Sequence, residues 1–170
     1  ALFFADNGTT GVELWKSDGT PEGTVLVKDL VPGAEEFFSL AFFARVNNLT
    51  YFAASAAEND GLWVTDGTAP GTRKLKSVFI EFMESFGGHL FFVMASGQGY
   101  ELWTSDGTPS GTIRLKGGLS SNFTLNGEFN LVEFADAVYF LTGAGSSRDL
   151  WVSDGTLQGT AVVATGLQAD

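Results

Sequence analysis

Short apolar runs, separated by polar segments rich in glycine, dominate the chain. Because the clearest runs are continuously apolar, they favour strands that are buried on both faces, here called strand B. Each run contains two adjacent aromatic residues, and each pair begins 12 residues before a tryptophan in a Leu-Trp step. The pairs are Phe3-Phe4, Tyr51-Phe52, Phe91-Phe92 and Tyr139-Phe140, and the tryptophans are Trp15, Trp63, Trp103 and Trp151. The Leu-Trp steps predict a second strand, strand C.

The motif D-G-T-x-x-G-T follows every one of these tryptophans. Glycine accepts positive φ without steric cost, and an aspartate side chain can bond the backbone two residues onward. The motif therefore predicts a tight turn with a structural aspartate, which leads from strand C into a further extended run, strand D. The predicted turn residues are Asp18, Gly19 and Gly23; Asp66, Gly67 and Gly71; Asp106, Gly107 and Gly111; and Asp154, Gly155 and Gly159.

Phe-rich runs that start at Phe37, Phe79 and Leu131 precede the later copies of strand B and predict a fourth strand, strand A. Four short strands per repeat, with turns between them, are typical of a β-propeller blade. We therefore predict an all-β propeller with about four repeats, approximately 1–30, 31–78, 79–118 and 119–170, in a single domain 1–170.

The predicted strand order is B-C-D followed by A-B-C-D three times, so one blade lacks a strand. Three arrangements would account for this: irregular termini close a four-bladed ring, the chain is part of a larger ring, or a second chain completes the ring. Because the chain starts abruptly within a repeat, we expect a mature product or a fragment.

Composition narrows the functional classes. The chain has 170 residues and a hydrophobic fraction of 44%, which is typical of a folded domain. Its net charge of -11 is unfavourable for nucleic acid and for anionic membranes as partners. The chain contains no cysteine, which excludes disulfides and thiolate sites, and no apolar stretch approaches the roughly 20 residues of a membrane-spanning helix.

The sequence contains few candidates for catalysis. His89 is the single histidine, which excludes a His-cluster metal site, and its position after two glycines favours a turn residue over a general base. Glu13, Glu101 and Asp149 recur at one blade position, but propeller symmetry would separate rather than pair them. We predict no enzymatic activity. An enzyme would need one asymmetric pocket with paired acids, and the search for it would begin at Glu35-Glu36 and Glu128.

No cofactor is predicted, with calcium as an alternative. Oxygen ligands for calcium are available at Asp6-Asn7 and Asn59-Asp60, in the turns between strands B and C. The same residues beside glycine are typical of any tight turn, and the corresponding turns of the third and fourth repeats lack these acids.

The string E-L-W-K-S-D-G-T-P-E-G-T from Glu13 closely resembles the bacterial ELWxxDGT repeat, which occurs in large, mostly secreted or surface-linked proteins. The resemblance extends over almost the whole chain, with departures at Gly61, Asp149 and Leu157-Gln158. The S-x-D-G-T segments are also similar to the Asp-box turns of sialidase-type propellers, in which the aspartate is structural. The resemblance implies a bacterial extracellular repeat module, secreted or displayed on the cell surface, and supplies no activity.

The sequence therefore predicts a non-enzymatic propeller module for recognition, adhesion or assembly. Its expected partner is another protein chain, a second copy of itself, or a glycan. The main alternative is a carbohydrate-binding propeller lectin, in which Trp15, Trp63, Trp103 and Trp151 would stack on sugar rings. A glycosidase or lyase-type propeller enzyme ranks below the lectin.

Overall fold

A computed structural model describes residues 1–32, 42–55, 60–97, 99–119, 131–143 and 147–168, together with the backbone of 124–125 and 128–129. These residues form 17 strands, and none of them is helical. The part of the chain described thus contains no helix of the length and hydrophobicity needed to span a membrane. The chain divides into two compact units, Ala1–Phe79 and Ile80–Asp170.

The first unit contains two antiparallel sheets, each made of strands that are consecutive in sequence. Sheet 1 has three strands: β1 (Leu2–Asp6), β2 (Val12–Lys16) and β3 (Val25–Lys28). Sheet 2 has four strands: β4 (Phe43–Val46), β5 (Leu49–Ala54), β6 (Gly61–Thr65) and β7 (Arg73–Lys76).

The second unit also contains two antiparallel sheets of consecutive strands, and both have four strands. Sheet 3 consists of β8 (Phe82–Phe86), β9 (His89–Ser96), β10 (Gly99–Ser105) and β11 (Ile113–Leu119). A short hairpin follows, formed by β12 (Thr124–Leu125) and β13 (Glu128–Phe129). Sheet 4 consists of β14 (Leu131–Phe134), β15 (Ala137–Thr142), β16 (Ser147–Ser153) and β17 (Ala161–Gln168).

The predicted all-β fold of propeller-type blades is confirmed. Sheet 1 has the predicted strand order B-C-D, and sheets 2, 3 and 4 have the predicted order A-B-C-D. In each sheet, neighbours in sequence are neighbours in space and run antiparallel, which is the strand order of a propeller blade. The boundary between the two units lies beside the predicted repeat boundary at 78–79.

Strand A lies later in the chain than predicted in two repeats. Residues 33–41 lie outside the described residues. The run from Phe79 enters its strand only at Phe82, and the run from Phe37 enters β4 only at Phe43. The cause is a two-residue turn between strands A and B, which forces strand A to end just before strand B. The closing pairs are Val46↔Leu49, Phe86↔His89 and Phe134↔Ala137.

The adjacent leucine and tryptophan of strand C point to opposite faces of every sheet. We call these the Leu face and the Trp face. In the first unit, Leu14 and Val27 on the Leu face of sheet 1 join one hydrophobic cluster with Phe52 and Trp63 on the Trp face of sheet 2. In the second unit the Leu face of sheet 3 packs against the Trp face of sheet 4. That cluster contains Phe91, Val93, Leu102, Leu115, Leu119, Val138 and Phe140.

Burial of strand B on both faces is confirmed for sheets 2 and 3 only. Tyr51 and Phe52, and likewise Phe91 and Phe92, are buried although they point in opposite directions. In sheet 4, Phe140 is buried but Tyr139 is partly exposed, and all the apolar residues of β1 are partly exposed. The prediction was wrong for these strands. An apolar run makes burial of both faces favourable, but each face is buried only where another part of the protein packs against it.

Candidate functional site

The four D-G-T turns form the same hydrogen-bond network. Oδ1 of Asp18 accepts bonds from the backbone N–H of Thr20 at 3.0 Å and from the Thr20 hydroxyl at 2.7 Å. The Thr20 hydroxyl in turn accepts the N–H of Gly23 at 3.0 Å. These bonds, the threonine hydroxyl first, hold the pKa of the Asp18 carboxyl below its usual range. The same bonds and the same pKa direction recur at Asp66, Asp106 and Asp154.

Both glycines of the motif are required by this geometry. Gly19 has a φ of 96°, a conformation that side chains rarely adopt. At Gly23 an added Cβ would lie 2.0 Å from Oδ1 of Asp18, so only glycine fits beneath the carboxylate. The first glycine is in the left-handed region in every copy (Gly67, Gly107, Gly155), and the second is equally crowded in every copy (Gly71, Gly111, Gly159).

A hydroxyl pair, not foreseen from the sequence, closes the base of each turn. The Ser17 hydroxyl lies 2.7 Å from that of Thr24, and it also accepts the N–H of Gly19. Equivalent pairs join Thr65 to Thr72, Ser105 to Thr112 and Ser153 to Thr160. The sequence signal was a Ser or Thr just before each Asp-Gly-Thr. The aspartates, threonines and hydroxyl pairs are thus engaged in bonds within their own turns.

Three tryptophans pack against phenylalanines of the neighbouring strand. Trp63 stacks on Phe52 with ring centroids 6.1 Å apart and an interplanar angle of 14°. The same stacking joins Trp103 to Phe92 and Trp151 to Phe140. Lys74 lies 5.5 Å from the centre of the Trp63 ring, and Lys116 lies 4.8 Å from that of Trp151. A sugar would have to displace these contacts in order to stack on Trp63 or Trp151.

The indole nitrogens of the tryptophans differ in their hydrogen-bond partners. Trp103 donates to Glu101 at 3.0 Å, and Trp151 donates to Thr142 at 3.0 Å. The Trp15 nitrogen is buried and meets no acceptor among the described residues. Sugar stacking by four equivalent tryptophans stays a prediction.

The acids at the recurring position before Leu-Trp each connect strand C to strand D or to the segment just after it. Glu13 accepts the N–H of Leu30, Glu101 pairs with Arg114 at 2.9 Å, and Asp149 accepts the N–H of Gly166 at 3.0 Å. Glu13 is buried, and this burial, reinforced by the charge of Asp29, raises the pKa of its carboxyl to about 7.

The calcium candidates occupy self-contained turns where the structure describes them. Asp6 accepts the N–H of Gly8, and Asn7 accepts the N–H groups of Thr9 and Thr10. Asn59 lies outside the described residues, whereas Asp60 has one buried carboxylate oxygen that meets no partner within the described part of the chain. No three acidic or histidine side chains gather into a metal-binding group among the described residues. Calcium stays an untested alternative.

Of the remaining catalytic candidates, His89 is the one whose side chain the structure describes. His89 is exposed and lies beside the turn at Gly155, where an added Cβ would be 2.9 Å from the imidazole. Glu35 and Glu36 lie outside the described residues, and Glu128 is described by its backbone alone. The predicted search for paired acids at these glutamates therefore stays a prediction.

Each unit has an open groove at the D-G-T end of its two sheets. In the first unit it has a volume of about 570 Å³, and its lining includes Lys16, Asp18, Phe43, Arg45 and Thr50. Lys16 reaches across it and donates to the backbone oxygen of Gly67 at 2.9 Å. The groove of the second unit is smaller, about 260 Å³, and is lined by residues that include His89, Asp106, Ile113, Thr156 and Leu157.

Comparisons with known proteins identify no family for this chain. No family model matches the chain, and no curated protein matches it. Among solved structures, one chain of "Crystal structure of Nidogen/Laminin Complex" is similar, with 13% sequence identity and a TM-score of 0.41. That likeness covers 98% of this chain and 63% of the other, so this chain spans less than two thirds of the length of the one it matches.

Proposed function

We propose that this chain is a non-enzymatic, extracellular β-propeller repeat module of the ELWxxDGT class, which acts in recognition or assembly through a protein partner. One observation carries the proposal. The repeated residues are engaged within their own sheets and turns, whereas large apolar side chains of sheet 4 that do not belong to the motif are exposed. Repetition therefore maintains the scaffold, and the exposed apolar surface is the part available to a partner.

The acids support a structural rather than a catalytic role. Glu13 is bonded to a backbone N–H, Glu101 to an arginine and Asp149 to another backbone N–H. A glycosidase needs two carboxylates that face one substrate bond. These three acids instead each hold the neighbouring strand or the segment after it, so their recurrence is explained without a reaction.

A lectin is the second candidate, and the groove of the first unit favours it. The groove combines one partly exposed aromatic ring, Phe43, with the polar side chains of Lys16, Arg45 and Thr50. An aromatic face beside hydrogen-bonding groups is the usual chemistry of a carbohydrate site. This site would be unique to the first unit, unlike a site repeated in every blade.

The first experiment is the native mass in solution, measured by light scattering with and without a calcium chelator, alongside a glycan array. We expect a mass above the 18.1 kDa of one chain, unchanged by the chelator, and no glycan binding. A stable single chain that binds glycans, and loses that binding when Phe43 is replaced by alanine, would contradict the proposal and establish the lectin. Leu157→Ala is the matched control, because Leu157 is exposed and does not line this groove.

A further inference from the structure

Sheet 4 leaves its Leu face open to solvent. Val132 and Phe134 of β14 are 61% and 69% exposed, and Val163 of β17 is 53% exposed. Tyr139 and Leu150 lie on the same face and are only partly buried. Together these residues form a continuous apolar surface across all four strands, which we call the sheet 4 Leu face.

The position that Val163 occupies in strand D is buried in the other sheets. In every sheet, strand D has one extra residue between the partners of the leucine and the tryptophan, which is a β-bulge at a constant place. In sheet 4 this residue is the exposed Val163. In the other sheets it is Val27 at 5%, Leu75 at 8% and Leu115 at 8% exposure. The repeat is the same, so the sheet 4 Leu face differs by lacking a cover.

The structure shows twice what covers a Leu face. In the first unit the cover of the sheet 1 Leu face is the Trp face of sheet 2, and in the second unit the cover of the sheet 3 Leu face is the Trp face of sheet 4. Both covers present a Phe-Trp stack, Phe52 on Trp63 and Phe140 on Trp151. The shape and chemistry that complement the sheet 4 Leu face are thus those of another Trp face.

Sheet 1 provides such a surface. Phe3 and Leu26 flank Trp15 on the two neighbouring strands, so the three side chains share the Trp face of this sheet. Leu26 is 38% exposed, and the corresponding residue of sheet 4, Val162, is also apolar and 47% exposed. The corresponding residues of sheets 2 and 3 are the basic Lys74 and Arg114.

We propose that the sheet 4 Leu face binds the Trp face of sheet 1 in a second copy of this chain. This inference rests on the proposed function and names its partner. The contact joins two different surfaces, so it is head-to-tail and repeats from copy to copy, giving a closed ring or a filament. It continues between chains the same packing that joins sheets within each unit.

Two substitutions test the two surfaces separately. Phe134→Glu places a charge on the Leu face, and Leu26→Glu places one on the Trp face of sheet 1. Both residues are partly or largely exposed, so the variants should retain wild-type circular dichroism and, at a concentration where the wild type is monomeric, its melting temperature. Leu157→Glu is the matched control, because Leu157 is 55% exposed, between Leu26 and Phe134, but lies in a D-G-T turn, outside both faces.

We expect the wild type and Leu157→Glu to show a mass that rises with concentration in analytical ultracentrifugation. Each of the other variants alone should sediment as one chain, with self-association weakened at least about 30-fold, because a buried charge removes a central contact. An equal mixture of Phe134→Glu and Leu26→Glu should form a complex of two chains and no larger species, since each variant keeps one intact surface.

Three results would overturn the inference. The first is a wild type that stays a single chain at the highest concentration. The second is an oligomer that Phe134→Glu leaves intact, which would retain assembly as the function while excluding this surface. The third is a Phe134→Glu chain that is monomeric yet fails to pair with Leu26→Glu, which would indicate a symmetric contact between two Leu faces.

Discussion

Sheets 3 and 4 have the same four-stranded order, the same bulge and the same D-G-T turn, but their surroundings differ. The Leu face of sheet 3 is packed against a neighbouring sheet, whereas that of sheet 4 is open. Leu115 is therefore buried while Val163, at the same place in the repeat, is exposed. The comparison shows that the repeat encodes a sheet with two apolar faces, and that the neighbour decides which of them is covered.

The largest expected effect separates two phenylalanines of sheet 4. Phe140→Ala should lower the free energy of unfolding by about 3 to 5 kcal/mol, because it removes a fully buried ring from the packed Trp face. Phe134→Ala should cost under about 0.5 kcal/mol when measured at a concentration where the chain is monomeric. Chemical denaturation of both variants checks this. Equal losses would mean that the Leu face of sheet 4 is covered within one chain.

Glu13 of sheet 1 and Asp149 of sheet 4 occupy equivalent positions, and their effects on stability can be compared by changing the pH. Burial raises the pKa of Glu13 from 4.5 to about 7, so its neutral form is favoured in the folded state. Its contribution to stability is complete below pH 4.5 and is lost as the pH rises towards 7, by at most about 1.4 kcal/mol per pH unit. Glu13→Gln should remove this loss in denaturation experiments between pH 5 and 7.

Asp149→Asn is the matched control for Glu13, because it alters the corresponding acid of sheet 4 and leaves Glu13 unchanged. It should retain the pH dependence of the wild type in the same interval. If both variants kept that dependence, Glu13 would not be the group responsible.

The stability that a D-G-T turn contributes should not depend on whether the Leu face of its sheet is covered. Gly111→Ala in sheet 3 and Gly159→Ala in sheet 4 should each cost about 1 to 3 kcal/mol, because the added Cβ would meet the Asp106 or Asp154 carboxylate within 2.1 Å. Thermal unfolding should show similar losses for both. Gly117→Ala, where the nearest atom is 3.4 Å away on a flexible arginine, should stay within about 0.5 kcal/mol. Unequal losses of stability at the two turns would show that packing on the Leu face affects the turn.

The smallest expected effect concerns the strand D residue opposite each tryptophan. Arg114 in sheet 3 pairs with Glu101, whereas sheet 4 has Val162 at that place. Because the Arg114 side chain is 56% exposed, Arg114→Gln should change stability by under about 0.5 kcal/mol. A larger loss in a denaturant titration would show that the ion pair, rather than apolar packing, holds this strand of sheet 3.

Strand order was predictable because its signals are local. The aromatic pair, the Leu-Trp step and the D-G-T turn lie within a few residues of one another, and each turn is held by bonds between Asp18 and Thr20 or their counterparts. The start of strand A was predicted less well. Its position depends on a tight turn at Asn47-Asn48 or Gly87-Gly88, a signal that Phe-rich runs further upstream obscured.

The amino-acid sequence alone thus determined the all-β repeat, the order of the strands and the residues of the turns, because hydrogen bonds over two or three residues specify them. The tertiary structure decided which faces are buried, how Glu13 is desolvated and which apolar side chains of sheet 4 stay exposed. These properties depend on residues that are distant in the chain. Val163 and Leu115 occupy the same place in the repeat. Leu115 is buried because a neighbouring sheet packs against it, whereas Val163 lacks such a neighbour and is exposed.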